Sequence, residues 1–218
     1  MTTNLEGAVV AVVGASGGIG APIARRLAER GARLVLAGRR QDRLEVLAAG
    51  AAPTVVLDLR DPDAGDALVA TALDAFGRLD GVVNAAGVVA FGSLTDTDDV
   101  VLEELFLTNV LGPLWLIKRV VPALSATRGC FVNISAVVAE SPVTGMVGYS
   151  ASKAALTGAD RALVRELRRL HIRVCDARPP TSHRDRTGTP AAGRCEPCFS
   201  GRIDARARRG AHRGRYRS

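Results

Sequence analysis

The segment VVAVVGASGGIG, residues 9–20, joins a short apolar run to a glycine-rich turn. The run Ala8–Val13 is mostly β-branched and ends at Gly14, which predicts a buried strand. The turn opens a predicted helix at Ile19, and its glycines place no Cβ between the backbone and a ligand. The free N–H groups at the start of such a helix suit a pyrophosphate. The segment therefore predicts a phosphate-binding unit, with close strand–helix packing as the alternative reason for its glycines.

Apolar runs and amphipathic stretches alternate through residues 1–178 without a linker or repeat. Further strands are predicted at Leu34–Ala37, Val55–Leu57, Gly81–Val83, Cys130–Ser135 and Arg173–Ala177. Helices are predicted at Ile19–Arg30, Arg43–Ala49, Asp63–Phe76, Asp98–Leu124 and Ser150–Leu170. This alternation predicts a single α/β domain, a doubly wound parallel sheet with helices on both faces.

The net charge of +7 lies entirely at the C-terminal end of the chain. Residues 179–218 hold ten Arg against three acidic residues, whereas residues 1–178 hold 19 basic and 19 acidic side chains. The same 40 residues contain no Leu, Val or Met, so they have little apolar surface to bury. We therefore expect a neutral folded domain, residues 1–178, followed by a basic, disordered tail.

Several function classes are disfavoured by composition. No apolar run approaches the roughly 20 residues that span a bilayer, and no cationic segment precedes an apolar one at the N-terminus. Four cysteines do not form a disulfide framework, which favours a reducing compartment such as the cytoplasm. Cys195 and Cys198 have metal-type spacing but no second pair, so no metal site is expected.

The end of the second predicted strand, Ala37-Gly38-Arg39-Arg40, bears on the choice of cofactor. An acidic residue about 20 positions past the glycines usually binds a ribose 2′-hydroxyl. Arginine at that place pairs instead with a 2′-phosphate. The sequence therefore favours NADP(H), with NAD(H) possible. The alternative is a solvent-exposed charge pair, with Asp42 capping the next helix.

Tyr149 and Lys153 lie four residues apart at the start of a long predicted helix. This spacing puts both side chains on one face. A phenol has an ordinary pKa of about 10, and a nearby ammonium lowers it toward neutrality. The pair is therefore a candidate general acid/base for an alcohol or carbonyl.

Five ordered motifs resemble the short-chain dehydrogenase/reductase family over nearly all of residues 6–180. They are Gly14-x-x-x-Gly18-x-Gly20, Asp58-Leu59, Asn84-Ala85-Ala86-Gly87, Asn109-Val110-Leu111-Gly112 and Tyr149-x-x-x-Lys153. The chain departs from the family at Val13, where a Thr is usual. The resemblance implies a Rossmann-like fold and cofactor contacts from Gly14, Ser16, Gly18, Ile19, Gly20, Arg39, Asp58, Leu59, Asn84, Ala85, Ala86, Gly87, Tyr149, Lys153 and Pro179.

The resemblance also implies a mechanism. Hydride passes between the nicotinamide and a carbonyl or secondary alcohol carbon while Tyr149 moves the proton on oxygen. Lys153 binds the nicotinamide ribose and lowers the Tyr149 pKa, and Asn109 holds a water that leads to solvent. A small carbonyl or alcohol compound is the expected substrate, and the family's two long helices suggest a homodimer or homotetramer. No specific nucleic acid and no membrane are expected as partners.

The serine that binds the substrate oxygen is the weakest point of the match. The family places it 13 residues before the tyrosine, and that position is Ala136. Ser135 lies one residue earlier, where a strand side chain faces the opposite way unless the following loop absorbs the difference. We take Ser135 as the candidate catalytic serine, with a site lacking the serine and a role for Ser141 as alternatives.

The resemblance ends at Arg178-Pro179-Pro180, where a Pro replaces the usual Gly. The abrupt change to an Arg-, Gly- and Pro-rich composition suggests a frameshift near codons 180–182. On this reading the last strand, its helix and the substrate lid are missing. An impaired member that only binds cofactor is then one alternative function. Nucleic-acid binding through the arginine-rich tail is the other.

Overall fold

A computed structural model of the chain describes residues 5–179. The expectations for the basic tail from residue 180 onward, including the frameshift and the missing last strand and helix, lie outside these residues. Within them, six strands form one parallel sheet: β1 Val9–Val13, β2 Arg33–Gly38, β3 Thr54–Val56, β4 Gly81–Asn84, β5 Cys130–Ile134 and β6 Arg173–Ala177.

Six α-helices connect the strands: α1 Gly20–Ala28, α2 Gln41–Ala48, α3 Ala64–Phe76, α4 Asp99–Phe106, α5 Gly112–Thr127 and α6 Val147–Glu166. A π-helical turn, Leu107–Leu111, joins α4 to α5, so the single helix expected over Asp98–Leu124 is interrupted. Helix α6 starts three residues earlier than expected and ends in a 3-10 turn at Leu167–Leu170.

The two faces of the sheet bury separate apolar clusters, because successive strand side chains point to opposite faces. Val9, Ala11 and Val13 of β1 pack with residues of α3 and α5. Val10 and Val12 of the same strand pack with residues of α1 and α2. Every residue of β1 is buried, which explains why its sequence is apolar throughout. The prediction of a doubly wound α/β domain is confirmed.

The sheet order is β3-β2-β1-β4-β5-β6. The winding direction reverses between β1 and β4, which places a crevice at their carboxyl ends, where ligands bind in open α/β sheets. The glycine-rich turn follows β1 and the Asn84–Gly87 segment follows β4, so the order alone brings the two motifs together.

One helical stretch of the described residues, Asp99–Thr127, is long and apolar enough to cross a membrane by length and composition. Core helices meet the same criteria. Leu116, Val120 and Leu124 of this stretch pack into the core beside α3 and β5, and 39% of its most apolar window is buried.

Candidate active site

A cleft of about 230 Å³ opens at the carboxyl ends of β1, β2 and β4. It is lined by eight of the predicted cofactor residues: Gly14, Ser16, Arg39, Asp58, Leu59, Ala85, Ala86 and Gly87. Gly17, Gly38, Arg40, Arg43, Val88 and Thr108 also line it. The motifs predicted from separate parts of the sequence therefore surround one cavity.

The three motif glycines of the turn are required for different reasons. A Cβ on Gly14, which has a φ of +76°, would lie 2.6 Å from Ala86 N, and one on Gly20 would lie 2.1 Å from Gly14 O. A Cβ on Gly18 would meet nothing within 4 Å. Gly14 and Gly20 are thus needed for packing, while the space beside Gly18 is open for a ligand.

The start of α1 is bare of competing groups. Its N-cap residue, Ile19, has no capping side chain and is 46% exposed, and the first turn has no acidic residue. The positive end of the helix is therefore available to an anion such as a pyrophosphate. Thr108, which also lines the cleft, has a buried hydroxyl, Oγ1, without a hydrogen-bond partner among the described residues.

Three arginines stand around the cleft where β2 meets α2. Arg40 pairs with Asp42, its Nη2 2.8 Å from Asp42 Oδ2, so the charge pair considered from the sequence does form. Asp42 is not the N-cap residue, because α2 begins at Gln41 and Asp42 lies in its first turn. Arg39 makes no side-chain hydrogen bond or ion pair within residues 5–179. Arg43 was not predicted, although its position four residues after Arg39 is a usable signal.

Asp58 and Leu59 line the far side of the cleft. The Asp58 carboxylate is held by Arg60, whose Nη2 lies 2.6 Å from Asp58 Oδ2. This hydrogen-bonded pairing is the main reason that the pKa of Asp58 lies below its ordinary value. The carboxylate is therefore ionised and fixed in place at neutral pH.

Asn84 acts from beneath the cleft. Its buried side chain accepts a hydrogen bond from Ala86 N at 3.3 Å and donates one to Asn133 Oδ1 at 2.9 Å. The following residue is tied to β1, because Ala85 N bonds to Val13 O. Asn84 therefore shapes the loop that forms the cleft wall.

Asn109 lies in the π-helical turn, a distortion that is frequent at functional sites. Its Oδ1 accepts from Val88 N at 2.9 Å, and its Nδ2 donates to Val88 O at 2.9 Å. The same Nδ2 lies 3.1 Å from Ser152 Oγ on α6. Asn109 thus connects residues 85–88, which we call the cofactor loop, to α6, the helix that carries Tyr149.

Tyr149 and Lys153 share one face of α6, as predicted. Lys153 is 4% exposed, its Nζ donates to Ile134 O at 3.0 Å, and it lies 5.9 Å from the centre of the Tyr149 ring. Burial lowers the pKa of Lys153 to about 8. Burial raises the pKa of the Tyr149 phenol. This direction is opposite to the one expected from the sequence, because Nζ bonds to β5 and faces the ring rather than the hydroxyl.

The structure does not bring Ser135 to Tyr149. Strand β5 ends at Ile134, and the buried Ser135 Oγ lies 3.1 Å from Thr157 Oγ1. Thr157 is two helical turns from Tyr149, about 12 Å along the axis of α6. The loop after β5 therefore does not restore the expected geometry. Ser141 is exposed in a bend, and Pro179, the last described residue, lines neither this cleft nor the pocket beside Tyr149.

A small apolar pocket adjoins Tyr149. Its lining includes Phe91, Leu102, Leu105, Met146 and Val147, and no charged side chain among the described residues contributes to it. Phe91 is 76% exposed at its rim. Elsewhere in residues 5–179, no three His, Cys, Asp or Glu side chains cluster in a way that could hold a metal ion.

Comparisons with known proteins agree with this geometry. Residues 8–188 match the family model of the short-chain dehydrogenases, a match that extends past Pro180. An uncharacterized oxidoreductase of Staphylococcus saprophyticus is 32% identical over 184 residues, which are 81% of this chain and 79% of the relative.

Two solved structures share the architecture. A short-chain alcohol dehydrogenase described as putative, from Sinorhizobium meliloti, is 30% identical with a TM-score of 0.77, and the match covers 82% of this chain and 73% of that one. An alcohol dehydrogenase of Thermococcus sibiricus, solved with 5-hydroxy-NADP, is 28% identical with a TM-score of 0.76, covering 80% and 77%. The fold, the motifs around the cleft and these matches together place the chain in the short-chain dehydrogenase/reductase family of NAD(P)-dependent oxidoreductases.

Proposed function

We propose that this protein is an NADP-preferring oxidoreductase that interconverts a carbonyl compound and a secondary alcohol, with Tyr149 as general acid/base. The observation that carries the proposal is the junction at Gly87. A Cβ there would lie 3.0 Å from Asn109 Oδ1 and 3.4 Å from Lys153 Nζ. The cofactor loop, the π-helical turn and the helix of Tyr149 therefore meet at one point.

Each residue has a separate task in this reaction. NADP(H), when bound, supplies or accepts the hydride. The Tyr149 hydroxyl gives its proton to the carbonyl oxygen in reduction and takes it back in oxidation. Lys153, held by Ile134 O, would offer its remaining N–H groups to the nicotinamide ribose. Asn109 keeps the Val88 backbone fixed and so fixes the distance between cofactor loop and helix.

The preference for NADP rests on Arg39. Arg39 and Arg43 are the cleft arginines that form no ion pair among the described residues, whereas Arg40 is neutralised by Asp42. Of these two, Arg39 directly follows the end of β2, where the ribose of a dinucleotide is expected. A guanidinium free of internal pairing can bind a 2′-phosphate through two parallel hydrogen bonds. The Thermococcus sibiricus relative, with its bound 5-hydroxy-NADP, is consistent with this choice.

Cofactor choice is tested by titrating NADPH and NADH into the protein and following nicotinamide fluorescence. We expect NADPH to bind at least about tenfold more tightly, because one charge-assisted pair contributes 1.5–3 kcal/mol. Arg39→Ala should remove most of that difference and leave NADH binding unchanged. Arg165→Ala, which removes an exposed arginine from α6, is the matched control. Equal binding of the two cofactors by the unaltered protein would contradict the proposal.

Catalysis is tested with a panel of apolar and charged carbonyl compounds and NADPH. Tyr149→Phe should lower kcat by about 10²- to 10⁴-fold while NADPH still binds, because the substitution removes the proton donor alone. Lys153→Ala should lower kcat and weaken NADPH binding together. Lys118→Ala, at the other lysine of the chain, is the control, since Lys118 is exposed on α5. Full activity of the Tyr149→Phe variant would exclude the proposed role.

A second candidate function is cofactor binding with slow turnover. It is favoured by Ala136, which stands where the family has its serine, and by the distance of Ser135 from Tyr149. Tight NADPH binding without measurable reduction of any compound in the panel would support this function over the first.

A further inference from the structure

Among the acidic and basic side chains of the described residues, Lys153 and Asp160 are buried, at 4% and 2% exposure. Both lie on α6, about two turns apart, and neither forms a direct ion pair. A buried ammonium is costly unless an opposite charge compensates it. The mechanism described above gives Lys153 a task and gives Asp160 none.

One face of α6 carries a continuous row of polar side chains: Tyr149, Lys153, Thr157 and Asp160. The spacing of three to four residues keeps them in line along the helix. This row packs against the carboxyl end of β5, where Lys153 bonds to Ile134 O and Asp160 Oδ1 accepts from Asn133 Nδ2 at 2.7 Å. Lys153 and Asp160 are therefore held by adjacent residues of one strand.

A second carboxylate enters the row from β6. Asp176 Oδ2 accepts from Thr157 Oγ1 at 3.0 Å and from Arg178 Nη2 at 2.7 Å. Arg178 also pairs with Glu140. The elements packed against Lys153 thus present two carboxylates, Asp160 and Asp176, with Arg178 and Glu140 beyond them. The facing segments of β5 and the π-helical turn contribute no ionisable group.

Each of these carboxylates keeps one oxygen without a hydrogen bond. Asp160 Oδ2 and Asp176 Oδ1 are buried and have no partner among the described residues. Burial without a donor disfavours the ionised form of a carboxylate, and a nearby cation favours it. The two carboxylates therefore act on the ammonium through low-dielectric protein, where a charge is screened much less than at the surface.

We propose that Asp160 and Asp176 are positioning residues that together keep the Lys153 ammonium charged and so available to Tyr149 and the nicotinamide ribose. The inference deepens the proposed function and rests on it for its catalytic meaning. The effect of the two aspartates on the charge state of Lys153 does not depend on the proposed function.

The pKa shifts of Lys153 and Asp160 agree with this assignment. Burial lowers the pKa of Lys153 to about 8, while Asp176 and Asp160 oppose that shift. Burial raises the pKa of Asp160 to about 7. As the pH rises through 7, Asp160 therefore gains its charge just before Lys153 reaches the pH at which it would lose its own. Removing that charge lowers the pKa of Lys153 further.

The chain offers a direct measurement, because Lys118 and Lys153 are its only lysines. Protein made with lysine carrying carbon-13 at Cε gives two side-chain signals, and Lys118→Arg assigns them. The Lys153 signal of the unaltered protein should titrate near pH 8. Asp160→Asn, which keeps an oxygen to accept from Asn133, should lower that midpoint by roughly one unit.

Two further variants keep the test decisive. Glu166→Gln removes an exposed carboxylate from the same helix and should leave the midpoint unchanged. Asp176→Asn should lower the midpoint as Asp160→Asn does, and it replaces that variant if Asp160→Asn does not fold. An unchanged Lys153 midpoint in folded Asp160→Asn, or in folded Asp176→Asn in its place, overturns the inference.

The pH profile of NADPH-dependent reduction tests the catalytic meaning. In Asp160→Asn, the fall in kcat on the alkaline side should begin roughly one unit lower, with KM for the carbonyl compound little changed. A residue with a structural role only would reduce kcat equally at all pH values, and that outcome overturns the assignment. If the unaltered protein has no activity while the Lys153 midpoint still moves, the proposed function fails and the charge coupling stands.

Discussion

Ser135 and Ala136 show how much one position at the end of a strand matters. Ser135 Oγ lies 3.1 Å from Thr157 Oγ1, and Thr157 donates its single hydrogen to Asp176. Ser135 is then left to donate to Thr157. Its hydroxyl is committed inside the protein and is not available to a substrate oxygen. Ala136 follows directly and is the position the family uses.

We predict opposite effects for substitutions at these two positions. Ala136→Ser should raise kcat about tenfold or more, because it adds a donor at the position where the family has the serine that binds the substrate oxygen. Ser135→Ala should change kcat less than threefold and lower stability by about 1 kcal/mol, the value of one buried hydrogen bond. Steady-state kinetics and urea unfolding measure both. A hundredfold loss of kcat in Ser135→Ala would instead place that hydroxyl on the substrate.

At the scale of elements, the strand–turn–helix unit separates structural from ligand-directed glycines. Gly20 is fixed by contact with Gly14, since any Cβ would overlap the Gly14 carbonyl. Gly18 has no such contact. The sequence identified the motif but gave both glycines the same role, because the requirement depends on which backbone atoms approach each Cα in the folded turn.

Alanine substitutions at these glycines should therefore act differently. Gly20→Ala should lower the melting temperature strongly, with a loss of about 2 kcal/mol or more, because backbone must move to accept the methyl group. Gly18→Ala should leave the melting temperature of the cofactor-free protein unchanged or slightly raised. It should weaken NADPH binding about tenfold, because the family resemblance places the pyrophosphate against the backbone there. Calorimetry and fluorescence titration separate the two effects. Equal destabilisation by both would refute the distinction.

The order and type of the elements could be predicted from hydrophobic periodicity, and β6 was predicted at its observed bounds, Arg173–Ala177. The interruption between α4 and α5 was not predicted, although Pro113 is a usable signal for it, because a proline has no N–H to donate to the carbonyl four residues earlier. The bonds of Asn109 to Val88 accompany the interruption. The end of β5 was placed one residue too late, and that residue is Ser135.

For the whole molecule, the cleft was predictable and the buried polar row was not. Cleft residues belong to motifs at recognisable spacing, whereas Thr157, Asp160 and Asp176 are isolated polar positions whose meaning depends on packing between α6, β5 and β6. Net charge was no guide to the site, because the described domain is close to neutral. The site depends instead on the local balance of charge between Lys153 and the two aspartates, Asp160 and Asp176.

That balance predicts how global stability depends on pH. Folding raises the pKa of Asp160 from 3.8 to about 7, so its contribution is fully present below about pH 4 and is lost as the pH rises to 7. Folding lowers the pKa of Lys153 from 10.5 to about 8, so stability rises again from pH 8 toward 10.5. These two groups together place a minimum in the free energy of unfolding between about pH 7 and 8.

Asp160→Asn should remove the acidic side of this minimum. Relative to the unaltered protein, the variant should gain about 2 to 4 kcal/mol in free energy of unfolding between pH 4 and 7, since a pKa unit corresponds to 1.36 kcal/mol. Urea unfolding at several pH values measures the difference, and Glu166→Gln, whose carboxylate is exposed, should show none of it. A constant difference between Asp160→Asn and the unaltered protein across this range would mean that Asp160 is ionised throughout. The buried carboxylate would then cost no stability, and its charge would be available to Lys153 at every pH at which the enzyme works.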